Sequence, residues 1–138
     1  MENKIIAFMN TTALAFLGDS IYETHVRNYV IGKGQVNADL LHRAAVRFVR
    51  ADAQAYALKT MLDELTEEEQ NLVRRARNKK ISTKPKNADP VAYKWATAFE
   101  ALIGFLYLSQ NTSRMQEIIH KTIELIERKN GQKDGGML

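Results

Sequence analysis

The sequence predicts an all-α protein on three observations. Apolar residues recur at the three- and four-residue steps of a helix along most of the chain. No segment alternates apolar and polar residues with the period of two expected of a half-buried strand. Residues suited to cap helices, such as Asn37, Thr66 and Asp89, stand where the periodic segments begin.

The first helix is predicted from about Thr11 to Val30, with Gly32 and Gly34 supplying its end and a turn. Asn37 or Asp39 caps a second, running through Leu40, Leu41, Ala44, Phe48, Ala55 and Leu58 to about Leu65. Its length permits a break near Arg50 to Asp52. Thr66 followed three residues later by Glu69 is a capping box, opening a short helix through Leu72 and Val73 that frays near Asn78. From Asn78 to Asp89 the chain is polar and contains Pro85, so a loop is expected. Pro90 suits a first helical turn behind an Asp89 cap. The helix from there to about Leu108 is apolar on almost every side, with Trp95, Phe99, Leu102, Ile103, Phe105 and Leu106, and belongs at the centre. A last amphipathic helix, about Ser113 to Arg128, presents Met115, Ile118, Ile119, Ile123 and Ile126 to that centre. Residues 129–138 are expected as a disordered tail, leaving one domain with its core over about 11–128.

A chain of 138 residues has room for one ordinary domain, and 45% hydrophobic against 26% charged residues excludes intrinsic disorder. No run approaches the roughly 18 to 20 apolar residues of a membrane span, and Met1 to Asn10 lacks the features of a signal peptide, so the expected location is the cytoplasm. Cysteine is absent, which removes disulfides, thiolate catalysis and cysteine-ligated zinc. The excess of twenty Lys and Arg over sixteen Asp and Glu is modest but concentrated.

Two stretches carry chemistry. ALAFLGDSIYE (Ala13 to Glu23) and AFEALIG (Ala98 to Gly104) each set a carboxylate into apolar helical sequence. Asp19 shares a stripe with Ala15, Tyr22 and Val26; Glu100 lies among Tyr93, Ala96, Ile103 and Tyr107. A carboxylate against apolar surface loses hydration, a cost offset by a partner charge, hydrogen bonds or a metal. Two such acids suit one hard cation, which takes oxygen ligands and keeps several waters. The alternative is structural: Asp19 accepting a hydrogen bond in the core and Glu100 paired with a base. Glu23, one turn beyond Asp19, reads first as a solvated helix-edge acid and second as an added ligand. Glu67, Glu68 and Glu69 complement a helix dipole.

Arg74, Arg75, Arg77, Lys79, Lys80, Lys84 and Lys86 put seven positive charges into thirteen residues with no acid among them. The run leads straight into the helix bearing Glu100 and is expected to bind phosphate; a solvated loop is the alternative. Arg43, Arg47 and Arg50 form a second stripe. Aromatics are sparse in the basic run, so contact with the backbone of double-stranded RNA fits better than base stacking. His25, His42 and His120 fit no metal-ligand spacing, and Ser20 has no histidine base at a recognisable offset.

LAFLGDSIYE (Leu14 to Glu23) resembles the signature helix of the ribonuclease III family, and AFEALIG its second acidic helix. FVRADAQA (Phe48 to Ala55) is a weaker intermediate match, and the likeness extends over about Thr11 to Arg128. Thr12 and Ala15 stand where the full-length pattern has glutamates, Tyr56 where it has another, and Thr97 where it has an aspartate. The subgroup called Mini-ribonuclease III, which lacks an appended double-stranded RNA-binding domain, shares this reduced pattern and the basic RRxRN stretch of Arg74 to Asn78. The resemblance implies a helical-bundle endonuclease domain of the ribonuclease III type, acting as a homodimer. It implies Mg²⁺, with Mn²⁺ as a substitute, held by Asp19 and Glu100, and cleavage of structured double-stranded RNA in maturation of precursor 23S rRNA. The alternative is a catalytically inactive relative that binds RNA or the ribosome.

Overall fold

The computed structural model describes residues 5–6, 8–80 and 86–135, and among them every regular element is helical. Helix α1 spans Thr11–Gly32, α2 Ala38–Val49, α3 Ala51–Met61, α4 Glu67–Asn78, α5 Pro90–Leu108 and α6 Thr112–Gly135, with a 3₁₀ turn at Leu62–Glu64. Asn10, Asn37 and Asp89 each accept a backbone N–H at a helix start, and Pro90 follows its cap as expected.

The apolar α5 is the axis of the bundle. Ala98, Phe99, Ala101, Leu102 and Ile103 have no exposed surface, and α1, α3, α4 and α6 pack around them. The Asp19 stripe faces this axis: Ala15, Tyr22 and Val26 are buried, and Tyr22 meets Phe99 edge-on with ring centroids 4.8 Å apart. The Tyr22 hydroxyl donates to the Phe48 carbonyl at 2.8 Å, tying α1 to α2.

The long second segment does break, at Arg50, whose extended backbone (φ −59°, ψ 145°) separates α2 from α3. Asp52 supports the break by bonding the Arg50 guanidinium and its neighbour's N–H. The capping box forms with both bonds, Thr66 Oγ1 accepting from Glu69 N–H and Glu69 Oε1 from Thr66 N–H. Glu69 does more than face the helix dipole, because its buried carboxylate also receives the Arg114 guanidinium at 2.8 and 2.9 Å. Burial raises the Glu69 pKa, but hydrogen bonds from Arg114 and Thr66 outweigh it and hold the carboxyl below its ordinary value.

The last helix corrects the expected boundary at Arg128: it continues to Gly135. Around that boundary Glu127 is bridged to Lys33 at 3.7 Å, and Lys129, the first added residue, lies over the Tyr56 ring at 4.1 Å from its centroid. The expectation for residues 136–138 lies outside the described residues.

Candidate active site

Two glycines inside helices bring the acids together. A Cβ on Gly18 would lie 1.7 Å from the Glu100 carbonyl oxygen, and one on Gly104 would lie 2.1 Å from the Leu14 carbonyl oxygen. No side chain fits in either place, so α1 and α5 cross in direct backbone contact. Asp19 follows Gly18 and Glu100 precedes Gly104 by one turn, so the crossing sets the two carboxyls side by side. Asp19 is exposed to solvent and Glu100 is half-buried behind it.

Burial pushes the Glu100 pKa up to about 9, and the charge of Asp19 and a hydrogen bond shared with it add to the rise. Glu23 contributes in the same direction, although its own carboxylate is bonded to Arg27 at 2.7 Å, which places it as the helix-edge acid. A hydrogen bond from the Gln54 side chain acts against the rise. Tyr22, also beside Glu100, has its hydroxyl pKa raised by burial first and by that carboxyl second, so it stays a neutral donor to Phe48.

Among the described residues no group of three or more His, Cys, Asp or Glu could hold a metal. Two adjacent carboxyls remain, and their chemistry fits a hard cation: the donors are all oxygen, and their mutual repulsion is what a divalent charge relieves. At the departures noted from the ribonuclease III pattern, other contacts stand. Ala15 is buried, Thr97 Oγ1 donates to the Tyr93 carbonyl, Thr12 accepts from Lys79, and Tyr56 lies under Lys129.

The basic run divides in two. Lys79 Nζ donates to Asn10 Oδ1 and Thr12 Oγ1, both at 2.7 Å, and Arg75 Nη2 donates to the Met9 carbonyl at 3.1 Å, so both grip the start of α1. Arg77 stacks over Trp95 at 4.6 Å, and Lys59 approaches the same ring at 5.4 Å. Arg74 bonds Asn71 and keeps an exposed face, and Lys80 and Lys86 are exposed. Lys84 lies outside the described residues. Arg43 and Arg47 are exposed on α2, while Arg50 is committed to Asp52.

Similarity to known proteins covers the same part of the chain. The ribonuclease III domain matches residues 12–111, which contain the α1–α5 crossing and both acids. The chain belongs to the ribonuclease III family. It is 49% identical over 118 residues to a Mini-ribonuclease 3 of Brevibacillus brevis, covering 86% of this chain and 88% of that protein. A Mini-ribonuclease 3 of Symbiobacterium thermophilum is 46% identical over 83% of this chain and 88% of its own. A crystal structure of a Fusobacterium nucleatum protein superposes with a TM-score of 0.77 at 34% identity, covering 85% of this chain and 93% of that one. The protein is therefore an endoribonuclease of the ribonuclease III type.

Gln54, whose side chain acts on the Glu100 pKa, is a residue that no sequence motif singles out. Its signal was the same as that of the acids, a polar residue in an apolar helical stretch between Ala53, Ala55, Ala57 and Leu58.

Proposed function

We propose that this chain is a Mg²⁺-dependent endoribonuclease that hydrolyses phosphodiester bonds of structured double-stranded RNA, as a homodimer, in maturation of precursor 23S rRNA in the cytoplasm. The observation that carries the reading is the pairing of Asp19 and Glu100 across the glycine crossing. Mg²⁺, or Mn²⁺ in its place, held by these two carboxylates would supply a Lewis acid for a phosphate oxygen and lower the pKa of a bound water. Asp19, on the solvent side, is the acid that meets incoming RNA. Glu100 would hold the cation as a carboxylate, its proton passing to solvent, and its half-buried position limits how far the side chain can turn away. With two protein ligands, water and RNA phosphate would complete the oxygen shell of such a cation.

Arg74, Lys80, Lys84 and Lys86 supply affinity for the RNA backbone. Lys79, Arg75 and Arg77 hold this charged segment against α1 and α5 while adding to its positive field. Dimerisation is supported by Phe16, which is 83% exposed on α1 only three residues before Asp19. A second copy covering this ring would align two sites along one duplex, one for each strand. A Phe16→Asp variant should then run as a monomer in light scattering; an unchanged mass would refute this interface.

Cleavage of an end-labelled RNA duplex tests the reading, comparing Mg²⁺ with EDTA and wild type with Asp19→Asn and Glu100→Gln variants that still bind RNA. Metal-dependent cuts in both strands, lost in both variants, are expected. Salt-sensitive binding without cuts, in Mn²⁺ as well, would favour a catalytically inactive RNA-binding protein.

A further inference from the structure

We infer that Gln54 is a positioning residue for Glu100: its amide, clamped to the end of α2, holds the carboxylate in the orientation that binds the cation together with Asp19. The inference rests on the metal-site reading above.

Gln54 is 2% exposed, on the face of α3 that packs against α5. Gln54 opposite Glu100 and Lys59 opposite Trp95 show that the two helices run antiparallel, so the amide meets the middle of α5 at the acid itself. Its Nε2 donates to the Val49 carbonyl at 2.9 Å, the last residue of α2, whose carbonyl the extended Arg50 leaves outside the helical ladder. An amide nitrogen carries two hydrogens. One is used on Val49, and the second is free for Glu100, whose proton affinity the nearby amide lowers.

The other end of the amide distinguishes this arrangement from simple helix capping. Gln54 Oε1 is buried and has no hydrogen-bond partner in the protein. Buried polar atoms are nearly always paired, and those left unpaired concentrate where structure serves function. A side chain needed only to satisfy Val49 gains nothing by carrying that acceptor into the core. An amide that must stay neutral, reach Val49 and still donate to a carboxylate has to carry it. Lysine or arginine there would compete with the cation for Glu100, and a carboxylate would repel it. A neutral amide can orient Glu100 without occupying the metal's place.

The test is binding of MnCl₂ to the full chain without RNA, followed by electron paramagnetic resonance, for wild type, Gln54→Met, Asp19→Asn and Glu100→Gln. Methionine keeps the length and most of the volume and removes both polar ends. Outer partners of metal ligands typically contribute about 10–100-fold in affinity, and a weakening of that size is expected for Gln54→Met, with duplex RNA binding in EDTA unchanged within about twofold. A lower melting temperature with an unchanged Mn²⁺ affinity would assign Gln54 to helix capping alone and overturn the inference. Should the variant not fold, nitrogen-edited NMR of the wild type gives the answer. The Gln54 side-chain NH₂ resonances should shift on saturation with MgCl₂, and their failure to move would overturn it equally. Wild type that binds no Mn²⁺, or binds it as well after Asp19→Asn and Glu100→Gln, would instead refute the metal site on which the inference stands.

Discussion

Gly104→Ala adds one methyl group where the structure has no room for it. The new Cβ would stand 2.1 Å from the Leu14 carbonyl oxygen and 2.9 Å from its carbon, against 3.4 Å at the inner edge of ordinary contact. Both atoms belong to helix backbone, so no side chain can swing aside, and α1 must move from α5 by about 1.3 Å. Alanine favours the helix by about 1 kcal/mol over glycine. Overpacking typically costs about 1–3 kcal/mol, so the net loss should be about 0–2 kcal/mol, a fall of a few degrees in Tm at this chain length. Activity should suffer more than stability, because the same displacement pulls Glu100 from Asp19, and misplacement by about 1 Å can cost on the order of 100-fold in rate. Gly131→Ala is the control within the same chain: nothing lies within 4 Å of a Cβ there, so it should gain up to about 1 kcal/mol and keep full activity. Melts by circular dichroism and single-turnover cleavage of a duplex at saturating Mg²⁺ measure both quantities. Wild-type cleavage and melting in Gly104→Ala would refute the claim that the glycine crossing sets the site.

In EDTA the protein should lose stability as pH rises. Glu100 holds its proton up to about pH 9 in the fold but only to about 4.5 when unfolded, so its contribution is complete below about 4.5 and declines through 9. Melts from pH 5 to 9 should fall accordingly, and Asp19→Asn should shallow the slope; a flat wild-type profile would contradict the burial argument. Glu69 acts in the opposite sense, because its pKa is lowered in the fold: its contribution is complete above the ordinary carboxyl value and is lost as pH falls through the folded one. Glu69→Ala removes the capping box and the buried one of Arg114's two carboxylate partners and should cost about 1–3 kcal/mol in chemical denaturation, with a loss under about 1 kcal/mol arguing that Glu117 and water replace the carboxylate. Lys80→Ala with Lys86→Ala should weaken duplex binding across all sequences and reduce the slope of log affinity against log salt by up to about 2. An unchanged slope would remove these lysines from the RNA interface.

Much of this was legible locally. The helix period, the Thr66–Glu69 capping box and the Asp89–Pro90 start depend on residues within about four positions of one another, and all three stand in the structure as the sequence predicts. So does the placing of Asp19 on a stripe whose neighbours Ala15, Tyr22 and Val26 face the core, because helix geometry alone determines which residues share a face; of the Glu100 neighbours, Ala96 and Ile103 are buried but Tyr107 is half exposed. Other features required the folded chain. The Gly18–Gly104 approach, the high proton affinity of Glu100 and the grip of Lys79 on Asn10 and Thr12 join residues far apart in sequence. The contacts of Glu127 with Lys33 and of Lys129 with Tyr56 near the end of α6 likewise join residues far apart. A glycine within a helix reads locally as a defect, and a glutamine among alanines as an exception. Only when α1 and α3 close on α5 does the missing side chain become contact between helices, and the stray amide a partner for the acid, because excluded volume, desolvation and hydrogen bonding between helices exist only once the helices are packed.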